Sequence, residues 1–208
     1  MPTDHDLTVL DPLPAVFSAF PGPFWVAGGW AADLHAGRVL RPHADLDLLI
    51  LHSDLPAFAA AFTDREILLK GHRDGTAKPW DGRLDLDPGP QSLTFTDPRI
   101  PYPLEVVLGL SDGEDWVFHR GSGRIRRPFT AITHLTPDGL RYLGPEVVLL
   151  FKSRQDRPKD HADFIALADH LTPEQAAWLL SWLTPHGHLP HPWSAPLHTF
   201  ATTPQPAD

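Results

Sequence analysis

Asp45 and Asp47 stand one residue apart in "HADLDLLIL", at the start of a run greasy enough to be a buried strand. Side chains on a strand alternate faces, so both carboxylates share one face while Leu46 and Leu48 turn into the core. Two like charges that close disfavour each other's ionisation unless a cation lies between them. A hard divalent ion held by oxygens is the usual solution, and Mg²⁺ is the natural candidate. Upstream, Gly28 and Gly29 separate an apolar run, "FWVA", from a helix-forming one, "WAADLHAG". Glycine at such a turn lets the backbone close on an anion and aims the first N–H groups of the helix at it. A phosphate chain lying there would be bridged by metal to the two aspartates.

That chemistry calls for a third carboxylate, either to complete a two-ion site with metals roughly 3.5–4 Å apart or to deprotonate an attacking hydroxyl. Glu105 fits, alone among Leu104, Val106, Val107 and Leu108. Asp85 and Asp87 in "LDLDPG" compete for the role, but Pro88 and Gly89 end that strand at once and no glycine turn precedes it. Lys152, with Arg157 and Lys159 after it, offers positive charge to a triphosphate or a departing pyrophosphate. Arg41 and His43 sit in the turn before the Asp pair, where they either order the turn or touch the nucleotide. The basic run "HRGSGRIRR" at 119–127 reads as a solvated hairpin face.

The elements that must position these groups follow from pattern and punctuation. "PLPAVFSAF" reads as a short helix closed by Pro-Gly-Pro, residues 24–29 as a strand entering the glycine turn, and residues 30–37 as a helix stopped by Gly37. Residues 45–51 form the second strand, Ser53 caps the helix "DLPAFAAAF", and "REILLK" is a third strand. Short strands are predicted at 82–89 and 91–95, and longer ones at 102–110 and 115–120 around the hairpin turn "SDGE". Three helices with Pro or Thr starts follow at 145–155, 158–171 and 172–183, with Trp178 and Trp182 on a packing face. The remainder, rich in Pro and His, including His186, His188, His191 and His198, reads as an extended surface tail.

Composition narrows the function. The 208 residues can bury a core, and 17 basic against 26 acidic residues, a formal charge of −9, oppose a broad nucleic-acid surface and favour a cationic substrate. Without cysteine there is neither a disulfide framework nor a thiolate zinc site. No run approaches the ~18 apolar residues that span a bilayer, and the N-terminus lacks a signal-like segment, so the expected address is cytoplasmic.

Gly28, Gly29, Trp30 and Asp33, followed by Arg41, His43, Asp45 and Asp47, resemble the signature of the polymerase-beta-like nucleotidyltransferase superfamily. Within it they are most similar to the small antibiotic nucleotidyltransferases of the aminoglycoside 2″-adenylyltransferase and lincosamide types. Residues 103–128 and 147–164 resemble downstream blocks of such proteins, so the likeness runs from about residue 24 to 165. At position 161 this chain has His where such relatives more often carry an acid. The resemblance implies an α+β fold, a mixed β-sheet with flanking helices and a C-terminal helical lobe. The expected division is a catalytic domain over 1–143, the lobe over 144–185 and the tail over 186–208. It implies transfer of a nucleoside monophosphate from an NTP, with ATP the expected donor, to a hydroxyl of a small molecule. Asp45, Asp47 and Glu105 would be the catalytic metal-binding carboxylates of a two-Mg²⁺ site, and Gly28, Gly29, Arg41, His43 and Lys152 the nucleotide contacts. The acceptor is not named by the resemblance, although the acidic balance suits an aminoglycoside-like polycation. A toxin–antitoxin-type enzyme modifying protein or tRNA is one rival, and a decayed nucleotide-binding module another, which the presence of all three carboxylates argues against.

Overall fold

A 3-10 turn (Leu7–Leu10) and helix α1 (Leu13–Val16) lead through Pro21-Gly22-Pro23 into β1 (Phe24–Val26). These assignments come from a computed structural model, which describes residues 6–71, 76–82, 91–118, 125–155, 157–183 and 191–202. Helix α2 (Gly28–Ala36) starts on the glycine pair itself and stops at Gly37, whose φ of 66° lets its N–H return to the carbonyls of Asp33 and Leu34. Strand β2 (Leu46–Leu51) is followed by a 3-10 turn (His52–Asp54) and α3 (Leu55–Ala61). The cap expected at Ser53 is displaced, because Ser53 lies inside that turn and Asp54 takes the cap position.

Strands β3 (Leu68–Gly71), β4 (Ala77–Pro79), β5 (Gln91–Phe95), β6 (Leu104–Asp112), β7 (Asp115–Val117) and β8 (Arg126–Pro128) come next. Helix α4 (Phe129–Ile132), β9 (Thr133–Leu135) and β10 (Arg141–Leu143) complete the sheet region. The helices α5 (Pro145–Lys152), α6 (Pro158–Ala168) and α7 (Pro173–Leu183) each open on a proline, whose missing N–H costs nothing in a first turn. The predicted strand at 82–89 and the rival acids Asp85 and Asp87 fall almost wholly outside the described residues.

The sheet is mixed, ordered β4-β3-β5-β6-β2-β1-β10-β9, with β7 and β8 continuing from β6. At its centre β2 runs parallel to β6 and antiparallel to β1. Leu46, Leu48 and Ile50 are buried on one face. The rings of Phe17, Phe58, Phe62 and Phe95 cluster with centroids 4.7–6.5 Å apart, joining α1 and α3 to β5. Helix α2 packs on β2 and β10 and is backed by α5 and α6. No helix among the described residues is long and apolar enough to cross a membrane.

Two expectations need correction. The Pro/His-rich segment is not extended throughout, since α8 (Ser194–Thr202) packs on α7. Trp193 at its start stacks on Phe164 of α6, rings 4.6 Å apart and 5° from parallel, and donates its indole N–H to Nδ1 of His161. Nor is all of the basic run solvated. Arg127 is buried, its Nε 2.9 Å from Oε1 of Glu146 and its guanidinium over the Trp178 ring.

Candidate active site

Strand register brings the acids together. The parallel pairing of β2 with β6 sets Asp47 opposite Glu105, while β5 sets Thr94 opposite Glu105 and Ser92 opposite Lys70. Because side chains two apart share a face, Asp47, Glu105, Ser92 and Lys70 form a row across four adjacent strands. Asp45, Asp47, Glu105 and Lys70 line one wall of a cleft of about 200 Å³, and Gly28 lies beside them. The other wall comes from the end of α5 and the start of α6, with Lys152, Arg157 and Lys159. Acids thus face cations across one cavity.

The two glycines do more than turn the chain. Gly28 has φ of 59°, and a Cβ on it would fall 1.9 Å from Oδ2 of Asp47; a Cβ on Gly29 would fall 2.4 Å from Cε1 of His43. Each glycine makes room for one side chain, Gly28 for the acid and Gly29 for the ring that supports the helix start. Gly28→Ala therefore combines left-handed strain with a clash, and is expected to cost on the order of 1–3 kcal/mol of stability in urea unfolding.

Asp47 carries the electrostatic strain of the site. Burial, then the charges of Asp45 and Glu105, push its carboxyl up to about 7, against the opposing pull of Lys152 and Lys159. The folded chain holds a proton that the unfolded chain has released, so this proton-linked stability is full below about pH 3.8 and is lost as pH rises through about 7. A divalent ion on the pair would replace that proton. The thermal shift produced by Mg²⁺ should accordingly be larger at about pH 8 than at about pH 5.5, and an equal shift at both would contradict the assignment.

The donor set suits such an ion, because it is hard oxygen throughout and the cleft has room for phosphate oxygens and water to complete the coordination. Two carboxylates, Asp45 and Asp47, are the groups that would hold it. Among the described residues no group of three or more His, Asp or Glu side chains is arranged to hold a metal ion. Glu105, expected as a third ligand, has Oε2 at 2.7 Å from Nζ of Lys70 and Oε1 at 2.8 Å from Oγ of Ser92.

Behind the cations lies a buried ionic network. Asp163 accepts both Nε and a terminal nitrogen of Arg41, at 3.0 and 2.9 Å, and its Oδ2 lies 2.6 Å from Nζ of Lys152. Burial opposes its charge, but Arg41 and Lys152 outweigh burial and hold Asp163 below the usual carboxylate range. Asp160 is held low in the same way, by Arg157, which also caps α6. Lys152, expected as a nucleotide contact, reaches the cleft lining from this network.

Arg41 and His43 are not among the cleft-lining residues. His43 sits with Nε2 2.6 Å from Oδ2 of Asp33 and its ring against Trp30, whose indole N–H donates to the carbonyl of Asp45 at 3.0 Å. His43 therefore backs Trp30, which holds the Asp45 backbone, while Arg41 binds Asp163. Sequence reasoning missed Lys70, Ser92 and Asp163. Lys70 could have been suspected as the charge ending an apolar strand, and Asp163 as an acid one turn from Asp160 on a helix whose neighbours are apolar.

The family model of aminoglycoside-2″-adenylyltransferase matches residues 9–74, a span that includes Gly28, Gly29, Asp45, Asp47 and Lys70. A search of curated proteins finds no match. The crystal structure of ANT(2″)-Ia in complex with adenylyl-2″-tobramycin is similar with a TM-score of 0.55 at 16% identity, over 85% of this chain and 95% of that one. The solution structure of the antibiotic-resistance factor ANT(2″)-Ia gives 0.54 at 16% identity, over 85% and 90%. The lincosamide antibiotic adenylyltransferase LnuA, lincomycin-bound, gives 0.53 at 18% identity, over 79% of this chain and 98% of that one. At such identities the likeness is one of fold.

Proposed function

From a chain that has the fold of the polymerase-beta-like nucleotidyltransferases and resembles their aminoglycoside and lincosamide adenylyltransferases, we propose a Mg²⁺-dependent enzyme that transfers AMP from ATP to a hydroxyl of a small-molecule antibiotic. The observation that carries this reading is the cleft itself, with Asp47 wedged between Gly28 and Glu105 on one wall and Lys152, Arg157 and Lys159 on the other.

The triphosphate lies along the cationic wall, its charge met by Lys152, Arg157 and Lys159. Asp45 and Asp47 would hold Mg²⁺, which when bound would supply positive charge to the phosphate oxygens that gain negative charge during transfer. Glu105 accepts the hydroxyl proton of the acceptor as its oxygen attacks the α-phosphorus in line. The new O–P bond forms as the bond to the β-phosphate bridging oxygen breaks, and pyrophosphate departs. Trp30 and His43 hold the Asp45 backbone, so the carboxylates are in place before the substrates arrive.

For the acceptor, the relatives' complexes with adenylyl-2″-tobramycin and lincomycin are the guide. The net charge of −9 favours a cationic compound of that kind. The test is pyrophosphate release with Mg²⁺, each NTP in turn and a panel of aminoglycosides and lincosamides. Release is expected with ATP and only when an acceptor is present. Silence with every donor and acceptor, together with no heat of ATP binding in calorimetry, would remove the reading.

A further inference from the structure

The three cations of the cleft hang on one corner of the chain. Lys152 ends α5, Arg157 caps α6, and Lys159 lies in the first turn of α6. From within, Asp163 and Asp160 tie that corner together. From without, it is met by a short segment far along the chain. The backbone N–H of Trp193 donates to Nδ1 of His191 at 3.2 Å, so a neutral His191 carries its proton on Nε2. That nitrogen lies 3.2 Å from the carbonyl of Ser153, the residue directly after Lys152. Carbonyls at the end of a helix have no partner within it, and His191 brings one from outside. Trp193 meets the second arm of the corner, since His161, which accepts its indole N–H, and Phe164, which stacks on its ring, are three apart and share a face of α6. Trp193 is 2% exposed. Behind it the chain is anchored: the N–H of Leu197 returns to the Trp193 carbonyl, Leu197 is fully buried, and α8 packs on α7, which packs on α5.

Cations converging on one cavity repel each other until a polyanion arrives, and Asp160 and Asp163 offset only part of that charge. A corner free to open would let α5 and α6 part, and every cation that moved away would lose a charge-assisted hydrogen bond to phosphate. Resting on the nucleotidyltransferase reading above, we propose that His191 and Trp193 clamp α5 to α6 from outside and thereby fix the cationic wall that receives the triphosphate. Neither residue lines the cleft, so both are positioning residues. His191 acts through Ser153 on Lys152, and Trp193 through His161 and Phe164 on Arg157 and Lys159. Those cations meet the phosphates before and during transfer alike, so loosening the clamp weakens nucleotide binding far more than it slows the bound complex.

The experiment measures binding by calorimetry, with Mg²⁺ present, of inorganic tripolyphosphate and of the α,β-methylene analogue of ATP. The whole chain is used as wild type, Trp193→Ala, Trp193→Phe and His191→Ala, at a temperature where circular dichroism shows each protein folded. Kd for both probes is expected to rise about 10-fold in Trp193→Ala and about 3-fold in His191→Ala, because the lost contacts are those of the phosphates. Trp193→Phe, whose ring still stacks on Phe164, should recover most of the affinity. In turnover, KM for ATP should rise with Kd while kcat falls no more than about 2-fold. A segment that merely holds the chain together would lower the melting temperature and leave both affinities and KM as they were, and that result would overturn the clamp while leaving the transferase reading intact. Should Trp193→Ala fail to fold, His191→Ala decides in the same way, since it loses a single hydrogen bond to the corner. A wild type that bound neither probe would remove the transferase reading and this inference with it.

Discussion

Asp47→Asn is expected to abolish nearly all pyrophosphate release while making the metal-free protein more stable. The two effects have one cause. Asp47 is pushed up to about 7 by burial and by the neighbouring charges of Asp45 and Glu105, so keeping it ionised costs the fold free energy that only a cation returns. An amide keeps the shape and removes the charge. At about pH 8 without metal, the variant should gain about 1–3 kcal/mol in urea unfolding, because the amide removes the cost of ionising a buried carboxyl beside two like charges. Losing one of two ligands to the ion, and with it the charge that fixes the α-phosphate, should lower kcat/KM by roughly 100- to 10,000-fold, about 3–5 kcal/mol of transition-state stabilisation. The gain should fade toward pH 5, where the wild-type carboxyl is itself protonated. A carboxylate kept only for packing would show the opposite pattern, with stability lost and turnover spared. Asp45→Asn should share the loss of activity, which separates the metal assignment from a local fault at Asp47.

What the sequence could and could not reveal divides along chain distance. Asp45 and Asp47 are legible because alternation on one strand is a local rule, and Glu105 because an acid among four aliphatic residues is conspicuous. That Glu105 stands opposite Asp47 depends on the parallel pairing of β2 with β6, and no pattern in either segment specifies that register. Lys70 is further from view, since its row passes through β5 in a sheet whose order is not that of the chain. Arg41 read as a turn-ordering or nucleotide-touching residue because its partner, Asp163, lies 122 positions away on α6. The Pro/His-rich tail misled by composition, because Trp193 on Phe164 and the buried Leu197 dock α8 onto the helices before it. Arg127 misled in the same way. The run around it is basic, but β8 alternates, and Arg127 turns in toward Glu146 while Arg126 and Pro128 stay exposed.

Asp163→Ala should be the most damaging single change to the fold away from the aliphatic core. The carboxylate is 2% exposed and is the shared partner of Arg41 and Lys152. Removing it strands two cations, and breaking a buried pair from one side costs about 3–5 kcal/mol. For a chain of this length that corresponds to a fall of roughly 6–20 °C in melting temperature. Because Arg41 and Lys152 hold Asp163 below the usual carboxylate range, its contribution is present above that range and is lost as pH falls through the depressed value. The gap between wild type and variant should therefore be widest near neutral pH and close in acid. Lys152 would still have Asp160, whose Oδ1 is 3.9 Å away, and would be drawn off the cleft toward it. A second substitution separates folding from function. Adding Lys152→Met to Asp163→Ala removes one stranded charge and should recover part of the stability, since an apolar chain of similar length fills the same space. Activity should not return, because the cation that meets the triphosphate is gone. Recovery of both together would mean that Lys152 only holds α5 to α6, and that Arg157 and Lys159 alone receive the nucleotide.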